Sequence, residues 1–279
     1  MTPPPGFRYI DAHTHLHPPR LFAAIRRWFD DHTDWNLRGP TEPAVVAAEL
    51  RAAGVERFVF FSYAHRPGMA RDLNRWLRDV AEAVPDGVPL GTVHAGDDDP
   101  GAIVEEALDD LGLAGLKLHI QVQRFYPDDP RMLPVYERLV ARERTLVIHV
   151  GTGPHTNEFT GVDRFARVLE RFPELRAVVC HMGAFETPAC LRLLDRFPHL
   201  HLDTTMAMTP ASTPFTRIDP WIVRDADLVR HASRIVFGSD FPNLPYPYEE
   251  ERRGLWGRDL PLPVYRRIFY ENARALFGL

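Results

Sequence analysis

Eight short apolar runs recur along the chain, each separated from the next by a segment with helical spacing. No other feature limits the possible folds as strongly. The runs are "RYIDAHTHL", "VERFVFFSYA", "VPLGTVHAG", "AGLKLHI", "TLVIHVG", "LRAVVCHMG", "LHLDTTM" and "RIVFGSDFP". They are rich in Val, Ile, Phe and Leu and stop at Gly, Pro or polar residues, as strands do. Between them, "TEPAVVAAELRAAG", "RDLNRWLRDVAEAVP", "PGAIVEEALDDLG", "DPRMLPVYERLVARE", "GVDRFARVLERFP" and "ETPACLRLLDRFP" repeat apolar residues at three- and four-residue spacing. In the first of these, Thr41 is the expected N-cap, Pro43 opens the first turn and Gly54 is the stop. Strands that alternate with helices give a parallel sheet with right-handed crossovers. Eight such units in 279 residues predict a closed (β/α)8 TIM barrel, one domain over residues 1–279. An open doubly wound sheet is the alternative. It would need a Gly-rich loop after the first strand, and "DAHTHLHPP" is not one.

The bulk numbers exclude several partners. A net charge of −5 with no basic block argues against a nucleic-acid or anionic-membrane surface. No apolar run approaches the roughly 20 residues that span a bilayer. The start, "MTPPPGFRYI", has neither the charged nor the apolar part of a leader. Cys180 and Cys190 sit in no metal-type spacing. The expectation is a cytoplasmic protein that acts on a small molecule.

Polar residues then fall where barrel enzymes keep their chemistry. His13 and His15 end the first run, His94 the third, His119 the fourth, His149 the fifth, His181 the sixth and Asp240 the eighth. The carboxyl ends of barrel strands carry the active site. Residues two apart on a strand share a face, so His13 and His15 both point into the mouth, with Asp11 one layer deeper. Imidazoles and a carboxylate around one centre suit zinc, with manganese or iron as alternatives. Cys180 precedes His181 and should face the helices as apolar filler. His17 should lie in a turn beyond the strand. His94 reads as structural, and His32, His65, His155, His199, His201 and His231 carry no functional expectation.

The pieces "DAHTHLH", "GLKLHIQVQRFYPDDP", "VIHVG", "VVCHMG", "FGSDFP" and "ENARALFGL", in this order, resemble the amidohydrolase superfamily. They are most similar to the amidohydrolase 2 branch, which includes aminocarboxymuconate semialdehyde decarboxylase. The resemblance spans nearly the whole chain. It implies one divalent metal ion held by His13, His15, His149 and Asp240, with Asp240 also catalytic and His181 as an acid/base that does not bind the metal. In two-metal relatives a lysine of the fourth strand is carboxylated. Here Lys117 lies deeper than the strand end, and an ion pair with Asp11 behind the ligands is the preferred expectation. Relatives also imply a homodimer as one possibility.

The implied activity is hydrolysis of a small ester, lactone or amide by a metal-activated water. The alternatives are decarboxylation of an aromatic or unsaturated acid, and a metal-free lactonase or a pocket protein without catalysis. His119, Arg124 and Tyr126 are the candidate substrate-binding residues. The stretch "RLFAAIRRWFDDHTDWNLRGP" reads as a long loop whose Trp28, Phe29 and Trp35 form an aromatic lid or pack on the rim. Met206, Met208, Phe215, Tyr246 and Tyr248 are further candidates for the mouth.

Overall fold

The computed structural model describes residues 3–279, so Met1 and Thr2 of the stretch read for a leader lie outside it. All eight expected runs are strands: β1 (Tyr9–His15), β2 (Val55–Phe61), β3 (Gly87–Leu90), β4 (Gly115–His119), β5 (Thr145–His149), β6 (Ala177–Val179), β7 (Leu200–Asp203) and β8 (Ile235–Val236). Neighbours in the sequence pair in parallel, as β1-β2-β3 and as β4 to β8 in order. Two seams close the ring. A bridge between Gly91 and Leu116 joins the β3 and β4 segments. Across the other seam, the Ala12 amide donates to Phe237 O at 2.9 Å and the His15 amide to Phe241 O at 2.8 Å. The result is the (β/α)8 barrel.

Strand alternation divides the apolar residues into two layers. Leu116, Leu118, Leu146, Ile148, Val179 and Leu202 pack outward against the helices. Val59, Phe61, Val147, Val178 and Val236 fill the lumen. The expected helices are present, among them Ala70–Ala83, Val162–Arg171 and Thr187–Arg196. No helix among the described residues is long and apolar enough to cross a membrane.

Two local expectations change. Helix Pro43–Ala52 has Glu42, not Thr41, at its N-cap, and no side chain caps it. Pro43 at the first helical position leaves one fewer unpaired amide at the helix start, and the Val45 and Val46 amides donate to Glu42 O at 3.0 Å. Gly54 does end this segment, at φ +86°. The stretch read as a long loop contains helix Pro19–His32. Its apolar face sits over the barrel mouth, which puts Trp28 and Phe29 on a rigid element.

Candidate metal centre

β1 breaks its own alternation. Ile10 and Ala12 lie in the lumen layer while Tyr9 packs outward. The pairing with β2 slips between Asp11 and Thr14. Past that irregularity His13 and His15 face the lumen, and Asp11 does not. Asp11 instead accepts from the His13 amide at 3.1 Å and from Tyr248 Oη at 3.1 Å. It is therefore not one layer deeper on the histidine face, because the bulge places consecutive odd residues on opposite sides. Burial raises its pKa to about 6.

Three donors converge at the top of β1. His13 Nε2 lies 3.1 Å and His15 Nε2 3.2 Å from Asp240 Oδ1. These are separations expected of donors that share one ion at about 2.0–2.2 Å. Asp240 reaches this point from a left-handed backbone, φ 75°, a region where Asp is among the few tolerated residues. Gly238 makes the approach possible, since a Cβ there would collide with His13 and Thr205. On its other side His13 Nδ1 lies 2.8 Å from Asp203 Oδ2. A carboxylate only accepts, so Nδ1 carries a proton, and Nε2 is the nitrogen left to offer a lone pair to a cation.

The charges ask for a cation. Although burial raises it, His15 and His13 hold the Asp240 carboxyl well below the usual range. Asp203 is buried too, and His13 holds it low in the same way. Burial and the Lys117 ammonium oppose a charge on His13, yet Asp203 keeps its pKa well above the ordinary value. Two carboxylates flanking one imidazole thus demand positive charge between them. Together with a mixed nitrogen and oxygen donor set, this fits a divalent ion.

His181 arrives by a different route. Val178 and Cys180 point into the lumen, so a continuing strand would turn His181 outward. Instead residues His181 to Ala184 all take positive φ, beginning at 56° for His181. The reversal swings the imidazole into the mouth. Its ring centroid lies 5.2 Å from that of His13 and 4.7 Å from that of His149. The donors of His13, His181 and Asp240 fall within 4.8 Å of one another. His181 Nδ1 donates to Thr205 O at 3.1 Å, which leaves Nε2 free. Burial and neighbouring His13 lower its pKa to about 4.

His149 and His119 stack at 4.1 Å between ring centroids. Burial, then neighbouring His149 for His119 and neighbouring His181 for His149, keeps both well below the ordinary histidine value. His149 Nε2 donates to Gly153 O at 3.2 Å, so its lone pair is on Nδ1. His119 Nδ1 and His15 Nδ1 are buried without a hydrogen-bond partner among the described residues. His94 is held on both ring nitrogens, by Gln123 O and the Gly96 amide, which is the structural role expected of it. His17, read as part of a turn, is buried and stacks on His15 at 5.3 Å.

Lys117 and Cys180 correct a paired expectation. Lys117 Nζ lies 3.0 Å from Cys180 Sγ and 4.5 Å above the Phe61 ring. Cys180 therefore faces the lumen, not the helices. No ion pair joins Lys117 to Asp11 among the described residues, because the β1 bulge turned that acid to the outer layer. Removing one partner of a buried ion pair costs about 3–5 kcal/mol. Lys117→Met removes no such partner, so chemical denaturation should show unchanged or higher stability. A loss of that size would mean that a buried acid depends on Lys117.

His13, His15, Lys117, His119, His149, His181 and Asp240 line one cavity of about 800 Å³. Trp28, Phe29, Trp35 and Met206 supply apolar wall, and Arg124 is at the rim. Tyr126 is not part of it: its hydroxyl meets Glu158 and Arg164 lies over its ring. Met208 and Phe215 do not line it either. Tyr246 and Tyr248 are tied to Glu251 and Asp11. Sequence reading missed His65, Arg66, His155 and Asn243, which do line the cavity. They sit in loops, where spacing carries no periodic signal. It also missed Asp203, although that acid ends β7 just as Asp240 follows β8.

A profile described as amidohydrolase matches residues 10–279. No curated protein matches the chain. An uncharacterised TIM-barrel protein from Bordetella bronchiseptica has 21% identity and a TM-score of 0.73, covering 97% of this chain and 98% of its own. 5-Carboxyvanillate decarboxylase from Novosphingobium aromaticivorans, complexed with manganese, has 17% identity and a TM-score of 0.68, covering 98% and 97%. 4-Oxalomesaconate hydratase from Rhodopseudomonas palustris has 17% identity and a TM-score of 0.65, covering 97% and 95%. At these identities the likeness shows a shared barrel.

Proposed function

Because this chain belongs to the amidohydrolase family, we propose that it is a divalent-metal-dependent hydrolase for a small, flat substrate that carries a carboxylate. The observation behind this reading is the convergence of His13, His15 and Asp240 in a cavity whose rim holds Arg124. His13, His15, His149 and Asp240 would hold the cation, zinc first, with manganese or iron also suited to these donors. When bound, it supplies Lewis acidity toward a substrate oxygen and lowers the pKa of a water.

The chain's own groups divide the remaining work. Asp240, an acceptor only, takes a proton at the floor. His181 moves a proton through Nε2, because Thr205 O occupies Nδ1. Trp28, Phe29 and Trp35 offer apolar faces to a planar substrate and exclude water. His119 faces the same space and would orient the substrate.

Arg124 sets the substrate charge. The acids that follow it in the same loop are taken: Asp128 by Arg164 and Arg167, Asp129 by Arg131. Among the described residues Arg124 makes no ion pair, so a planar guanidinium is available for a ligand carboxylate. The same fact favours the second reading, decarboxylation, in which the gripped carboxylate leaves as carbon dioxide.

Lactones, esters and amides with and without a carboxylate, and aromatic or unsaturated acids, should be assayed for acid release and for carbon dioxide. Arg124→Ala is expected to raise KM for carboxylate substrates about 10- to 100-fold, the worth of a charge-assisted hydrogen bond, and to leave neutral analogues unaffected. Carbon dioxide release without hydrolysis of any neutral ester or lactone establishes the second reading. Full activity after exhaustive metal removal would point to a metal-free lactonase.

A further inference from the structure

We propose that Asp203 is the positioning residue that sets both His13 and His181, one with each carboxylate oxygen; the inference rests on the metal-dependent reading above. Asp203 is completely buried at the end of β7. Its Oδ2 accepts from His13 Nδ1 at 2.8 Å. Its Oδ1 accepts from the His181 amide at 2.7 Å and from the Thr205 amide at 3.2 Å. Thr205 O in turn accepts from His181 Nδ1 at 3.1 Å. The side chain therefore closes a ring of hydrogen bonds through His181 and Thr205, while its other oxygen holds His13.

Each bond fixes a chemical property. The bond to His13 fixes the tautomer that leaves Nε2 as the lone pair, 3.1 Å from Asp240 Oδ1. The bond to the His181 amide anchors the first residue of a run with positive φ. Left-handed non-glycine residues cost on the order of 1–3 kcal/mol each and persist only when surroundings over-determine them. The Asp203 carboxylate supplies that restraint, and the reversal it secures is what turns the His181 ring into the mouth. The Thr205 contact then fixes the His181 tautomer as well. Asp203, His13 and Cys180 also offer donor atoms within 4.8 Å of one another. Both Asp203 oxygens are engaged with N–H donors, so Asp203 acts through the two histidines and not as a ligand.

Asp203→Asn separates the two roles. An amide oxygen still accepts from the backbone of His181 and Thr205. The NH2 group that replaces Oδ2 cannot accept from His13 Nδ1–H. The metal-free variant should fold with an unchanged circular dichroism spectrum, while ¹⁵N spectra show His13 losing its Nδ1–H form. Competition against a chromophoric chelator for Zn²⁺ should then show affinity reduced about 10- to 100-fold, the cost of losing such a partner. Asp203→Ala should in addition lower kcat at saturating Zn²⁺, since His181 is no longer anchored. Should the alanine variant not fold, the asparagine variant decides alone.

Wild-type Zn²⁺ affinity in Asp203→Asn, with the His13 tautomer unchanged, overturns the proposal. If the wild-type protein itself binds no metal, the metal-dependent reading fails, and the His13 tautomer in the two proteins still decides whether Asp203 sets it.

Discussion

His13→Ala is expected to abolish metal binding and, with it, turnover. The wild-type protein, purified without added metal, should contain close to one equivalent of a divalent ion. His13 is the hub of the cluster: Asp203 holds one nitrogen at 2.8 Å and the other faces Asp240 at 3.1 Å. Removing an outer partner of a ligand already costs about 10- to 100-fold in affinity. Removing the ligand itself also leaves two buried carboxylates without the imidazole between them, so the loss should exceed that range. Because a lone buried charge is costly, the apo variant should unfold at a lower temperature as well. Elemental analysis and thermal unfolding check both parts. Full metal occupancy in His13→Ala would place the ion elsewhere in the cavity.

His149 tests the rest of the ligand set. Its Nε2 donates to Gly153 O at 3.2 Å, so it can serve as a ligand through Nδ1 or by giving up that bond. Its position between the rings of His119 and His181 keeps it at the floor in either case.

The barrel was legible because its signal is periodic. Eight apolar runs and their helical spacers repeat whatever the loops do, and strand order followed from parallel pairing. The strand-end rule also led to His119 and His149, whose runs alternate regularly into the lumen, and to His13, His15 and Asp240, which reach the cavity through a bulge and a left-handed residue. The rule failed wherever the backbone departs from alternation. Asp11 was put on the histidine face because a bulge leaves no mark in "YIDAHTH". Cys180 was given the wrong face because the turn from 181 to 184, which brings His181 to the mouth without strand alternation, has only one glycine, Gly183, and three side chains forced into positive φ. Asp203 escaped notice because a lone acid in "LHLDTTM" gains meaning only when the closed barrel brings His13 and His181 to its two carboxylate oxygens. Helix Pro19–His32 was hidden by its own composition, in which Arg, Asp and aromatic residues mask a narrow apolar face.

His181→Asn should keep the metal and lose about 100- to 10,000-fold in kcat, the contribution of a general acid or base. The two halves of this result depend on different features. Retention follows if the ion needs only His13, His15, His149 and Asp240. The loss in kcat follows from the free Nε2 of a ring whose other nitrogen is held by Thr205 O; asparagine can fill part of the space but cannot carry a proton at neutral pH. The geometry makes the alternative concrete, because His181 stands within 4.8 Å of the His13 and Asp240 donors. If His181→Asn loses its metal along with its activity, His181 is a ligand and the proton must travel by another group. His119 is then the residue to test, since its ring stacks on His149 and its Nδ1 has no hydrogen-bond partner among the described residues. Measuring zinc content and kcat on the same preparation separates these outcomes.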